Sequence, residues 1–84
     1  MGTKNDPAKF DRYTNALPDE PMFILLARDP NAPELVRLWA CRRQELITLG
    51  SKPASDRAMI DEAYECAEAM ENWRLAHLGE WRKP

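Results

Sequence analysis

The chain has 84 residues, a hydrophobic fraction of 44%, a charged fraction of 31% and a formal net charge of −2. That length supports one small domain with little apolar area to bury, and the balance is that of a folded globular chain rather than a disordered tail. A negative net charge argues against nucleic acid as a direct partner, because phosphate contacts need clustered lysine and arginine.

In chain order, residues 1–5 read as a flexible end. Asp6-Pro7 then offers a cap followed by a proline suited to a first helical turn. Phe10, Tyr13 and Leu17 follow at i, i+3 and i+7 on one face, which predicts a first short helix stopped by Pro18, with both aromatics in the core.

Residues 22–26, Met-Phe-Ile-Leu-Leu, form a continuous apolar run too short to cross a bilayer and expected to be buried against protein. Length and composition alone suit a strand, but the chain has no second β-branched or aromatic run to pair with it. A second short helix is therefore the expectation, capped by Asp19 with Glu20 and Pro21 in its first turn, and a strand is the alternative.

The same grammar repeats at once. Either Asp29 or Asn31 can cap a longer helix over 30–49, with Pro30 and Pro33 in its first turn and Glu34 three residues after Asn31. Leu35, Leu38, Trp39, Leu46 and Leu49 recur at helical spacing, and Val36, Ala40 and Ile47 widen the stripe. Gly50 suits the left-handed conformation that ends a helix, and Pro53 blocks its resumption.

Ser55 is the expected N-cap of the longest helix, with Asp56 at its first position and no breaker before Gly79. Its apolar stripe runs through Met59 or Ile60, Ala63, Cys66 or Ala67, Met70, Trp73 and His77, with alanines that let another helix approach closely. The short connection makes an antiparallel hairpin the default. The expected fold is thus all-α: a single domain over 1–84, built as a compact bundle of two long antiparallel helices plus two short N-terminal helices. Residues 79–84, including Trp81, form a second flexible end that either folds back as a lid or hangs free.

Chemistry-bearing residues are few. Cys41 and Cys66 stand at similar distances from the turn, so the hairpin brings them to comparable heights, as free and buried thiols. Two thiols and one distant histidine, His77, do not make a zinc site, so neither metal nor other cofactor is expected. His77 suits a helix C-terminus, where the dipole favours its charged form. No serine or cysteine has an evident base beside it, and carboxylates on an exposed ridge lack the cleft that splits their acidities, so no enzymatic activity is expected. Without a leader or membrane-spanning segment, the expected location is the cytoplasm.

Charge distribution carries the functional signal. Residues 55–73 hold Asp56, Asp61, Glu62, Glu65, Glu68 and Glu71 against Arg57 alone, a local balance of −5, whereas residues 30–54 come to +2. Asp61, Glu65 and Glu68 share one helix ridge flanked by Glu62 and Glu71, either a solvated face or a docking surface for a basic partner. Arg37, Arg42 and Arg43 can offset this charge from the facing helix. The acids also argue against a helix-turn-helix, since Asp56, Asp61 and Glu62 in the second helix would repel phosphates.

Asp19-Glu20-Pro21, the apolar run, Arg28-Asp29 and Ala32-Pro33-Glu34-Leu35-Val36-Arg37-Leu38-Trp39-Ala40, with the later Glu68-Ala69-Met70-Glu71-Asn72-Trp73, resemble a family of small phage and prophage proteins. The resemblance spans roughly residues 17–74, and its motifs are mostly caps and core positions, so no functional site carries over. It implies a mobile-element product that binds and blocks host machinery, with anti-CRISPR inhibition as the sharpest version. The partner would be a host protein complex with a basic surface, met through Asp61, Glu62, Glu65, Glu68 and Trp81. The alternative is a self-associating phage assembly or accessory protein, a homodimer without a host target.

Overall fold

A computed structural model describes residues 1–11 and 15–78. The described elements are helical, with no strand among them: α1 (Ala32–Thr48), a single 3-10 turn (Ala54–Asp56) and α2 (Arg57–Ala76). Tyr13, in the expected first helix, lies outside the described residues, as do Gly79 and Trp81.

Local rules account for the ends of α1. Asp29 closes a turn by donating its N–H to the Leu26 carbonyl at 2.9 Å, and its Oδ1 accepts the Asn31 N–H at 2.8 Å. Asn31 is the N-cap residue, although its side chain makes no capping bond. Pro33 falls in the first turn, where the missing N–H costs nothing, whereas Pro30 precedes the helix instead of joining it. At the other end Gly50 adopts φ +81°, and two bonds recapture orphan carbonyls: Gly50 N–H to Ile47 at 3.0 Å and Ser51 N–H to Leu46 at 2.9 Å. This is the Schellman arrangement expected of a glycine at that position.

Pro53 is extended (φ −71°, ψ 150°), so the chain turns through the 3-10 segment before α2 begins. Ser55 lies within that segment, and the N-cap position of α2 falls to Asp56. The helix closes at His77, whose N–H reaches the Trp73 and Arg74 carbonyls.

The two helices pack together through Ala40, Ile60 and Ala63, with Val36, Trp39, Ile47 and Met1 around them. Ala32, Ala40, Ala63 and Ala67 are 0% exposed, and no large side chain among the described residues is fully enclosed. Small residues at the crossing let the backbones approach, and that approach selects the buried face. The face of α2 is the expected one at Met59, Ile60, Ala63 and Ala67, but Trp73 is partly exposed. The face of α1 differs from expectation: it centres on Ala40 with Val36 and Ile47, leaving Leu35, Leu38 and Leu49 exposed. One residue is about 100° of helix, so centring on alanine rather than leucine turns the leucines outward.

Residues 20–26 correct the expectation of a second helix, since they show neither helix, strand, turn nor bend. Leu17 and Glu20 close a turn, with the Leu17 N–H donating to Glu20 Oε1 at 3.1 Å and the Glu20 N–H to the Leu17 carbonyl at 3.1 Å. Between Pro21 and the Asp29 turn too few residues remain to repay helix nucleation. The apolar run is not buried either: Met22, Ile24 and Leu26 are exposed, and Phe23 is 86% exposed.

The N-terminal segment lies against α2. Thr3 and Asp6 exchange backbone hydrogen bonds, and the Asp11 carboxylate accepts from the Gly2 and Ala8 N–H groups. The Met1 ammonium pairs with Asp11 at 3.0 Å and with Glu62.

Candidate functional site: the acidic face of the second long helix

Ala63 and Ala67 face α1, so residues about half a turn away face solvent. Those residues are Asp61, Glu65 and Glu68, all exposed. Spacings of four and three residues make them neighbours on one ridge, and like charges there disfavour the helix by a few tenths of a kcal/mol per pair, roughly. Among the described residues none of the three forms an ion pair.

Their acidic neighbours are engaged. Glu62, half-buried on the flank nearest the N-terminal segment, meets the Met1 ammonium, and its Oε1 has no hydrogen-bond partner besides. Glu71, on the opposite flank, accepts from Arg37 at 2.5 Å, and this hydrogen bond holds its carboxyl below the usual range. Asp56 lies 4.0 Å from Arg43. Arg37 and Arg43 therefore reach acids across the pair of helices, whereas Arg42 turns to Glu45 of its own helix at 3.4 Å. Sequence spacing identifies which acids share the ridge but not that Glu62 and Glu71 are neutralised at its borders.

The remaining candidates are structural. His77 stacks on Trp73 with ring centroids 4.3 Å apart, and its Nδ1 lies 2.8 Å from the Trp73 carbonyl. Cys41 and Cys66 are both free, but only Cys66 is partly buried; Cys41 is exposed, one residue and about 100° beyond the buried Ala40. Burial pushes the Cys66 thiol up from its ordinary value. Among the described residues no group of histidine, cysteine, aspartate or glutamate could hold a metal ion, and no helix is long and apolar enough to cross a membrane.

A broad groove of about 880 Å³ separates the N-terminal segment from the helices, lined by Phe10, Met22, Phe23, Trp39 and Met59 among others. Among its described lining residues there is neither histidine nor cysteine, and the Arg43 guanidinium lies 5.2 Å over the Trp39 ring at its wall, a cation–π contact. No family model matches the chain, and neither a curated protein nor a solved structure matches it.

Proposed function

We propose that the protein is a stoichiometric binding module that presents Asp61, Glu65 and Glu68 to a basic protein surface, without catalysis. One observation carries the reading: these three carboxylates stand exposed on one ridge without ion pairs among the described residues, while the acids at its borders are matched to cations. Three fixed negative charges along a helix offer a spacing that lysine and arginine side chains of a nucleic-acid channel can meet. The scaffold is the helix pair, taken as an antiparallel hairpin on the Arg37–Glu71 and Arg43–Asp56 contacts. The sharper version, a phage-encoded inhibitor of a host complex of the anti-CRISPR kind acting in the host cytoplasm, rests on the sequence resemblance alone.

The test is capture of host proteins by the wild-type chain and by a variant carrying Asp61→Lys, Glu65→Lys and Glu68→Lys, with helicity monitored by circular dichroism. Binding should be lost in the variant, and association of the wild type should slow as salt rises, since exposed charges are screened beyond about 8 Å at physiological ionic strength. Equal capture by the triple variant would remove the ridge from the mechanism.

A second reading, self-association as an assembly or accessory module, is favoured by a different observation: the apolar run 22–26 lies exposed rather than buried.

A further inference from the structure

We infer that residues 22–26 are a pairing edge for a second copy of this chain, joined antiparallel about a two-fold axis through Ile24. The inference deepens the self-association reading and rests on it.

Backbone accounting comes first. Among the described residues no hydrogen bond reaches the N–H or C=O of Met22, Phe23, Ile24 or Leu25. Residues 20–26 carry neither helix, strand, turn nor bend, and the side chains of Met22, Phe23, Ile24 and Leu26 stand in solvent. Exposed backbone with unclaimed N–H and C=O groups is a template for pairing with another chain.

Charge then selects the occupant and its direction. The run is bracketed by the exposed Glu20 on one side and the exposed Arg28 on the other, a turn residue beyond Leu26. A parallel pair of copies would set Glu20 beside Glu20 and Arg28 beside Arg28. An antiparallel pair centred on Ile24 instead brings each Glu20 within reach of the other copy's Arg28, an isologous contact made twice by symmetry. The apolar residues match as well: Met22 faces Leu26, Phe23 faces Leu25, and Ile24 faces its own copy. Sliding the register by two residues would set Glu20 against leucine or Arg28 against methionine.

Pro21 fits this register. In antiparallel pairs, hydrogen-bonded and non-hydrogen-bonded positions alternate. If Ile24 is a hydrogen-bonded position, so are Met22 and Leu26, the latter through its N–H because its carbonyl accepts the Asp29 N–H, and Pro21 falls where its missing N–H points away from the partner. The charged ends also limit growth beyond two copies. A short ladder with its side chains sits at the small end of specific interfaces, so a dimer of micromolar or weaker affinity is expected.

Sedimentation velocity over about 1 to 500 μM protein reads the dimer directly, a range chosen to bracket that affinity. Ile24→Pro removes the donor on the axis and should raise the dissociation constant at least about tenfold, with the helical circular dichroism signal retained. Glu20→Arg and Arg28→Glu should each weaken the dimer, whereas the double variant, or a one-to-one mixture of the two single variants, should recover it. A dimer indifferent to all of these overturns the pairing and leaves self-association standing. A chain that stays monomeric throughout the range overturns both.

Discussion

Arg37 donates to Glu71 at 2.5 Å, tying the second turn of α1 to the far half of α2. The hydrogen bond lowers the Glu71 carboxyl, and the Ala8 N–H foremost lowers that of Asp11. With both pKa values depressed in the folded state, the unfolded chain binds more protons as acid is added. Their stabilisation is therefore present above the ordinary carboxylate range, about pH 4, and fades as pH falls through the lower folded values. The urea midpoint should drop between pH 6 and pH 3, and a variant with Asp11→Asn and Glu71→Gln should show a flatter profile. An unchanged slope in that variant would place the acid sensitivity elsewhere.

Trp39 is only half-buried, with Arg43 over its ring. Removal of an enclosed tryptophan costs about 3 to 5 kcal/mol, and partial exposure brings the figure for Trp39→Ala down to about 2 kcal/mol. Urea denaturation measures it, and a loss at the full buried value would mean that the ring is enclosed in solution.

Gly50 has open space where a Cβ would lie, so a substitution there meets backbone strain and no clash. Gly50→Ala should cost about 1 kcal/mol, and Gly50→Asn less, because asparagine tolerates the left-handed region. Equal stability of all three would contradict the positive φ.

Ala63 and Ala69 lie on different faces of α2, the first enclosed and the second exposed. Ala63→Leu forces the helices apart and should cost about 1 to 3 kcal/mol, whereas Ala69→Leu should fall within about 0.5 kcal/mol of the parent. Thermal melts of the two variants side by side decide whether alanine sets the interhelical distance.

The thiols should separate kinetically. Cys41 is exposed, whereas burial raises the pKa of Cys66 and reduces its thiolate fraction near neutrality. A thiol-reactive dye should label one site quickly and the other slowly, with the slow phase lost in urea. Peptide mapping that places the fast label on Cys66 would reverse the assignment.

Where local chemistry decides the outcome, the residues are readable in advance. Gly50 stops α1 because its φ is one that other residues avoid, and Ala63 and Ala67 of α2 face inward as their spacing implies. Residues whose state depends on a neighbour are not. Leu35 and Leu38 look like core by hydropathy, yet a crossing centred on Ala40 rotates them outward. Residues 22–26 look buried by composition, but the prolines and turns around them leave no room for a helix, and there is no strand among the described residues to receive them. On the acidic face, spacing places Asp61, Glu65 and Glu68 together, but only tertiary structure shows Arg37 claiming Glu71 and the Met1 ammonium claiming Glu62.

An interior in which alanine supplies four of the six buried apolar residues described has a thermal consequence. The heat-capacity change of unfolding scales with apolar surface released to water, and side chains ending at Cβ release little. The increment should fall below the roughly 12 cal/mol/K per residue of ordinary domains, and the denaturant m-value should be correspondingly small. The stability curve of such a molecule is shallow: it loses little on cooling, and its melt by calorimetry is broad rather than sharp.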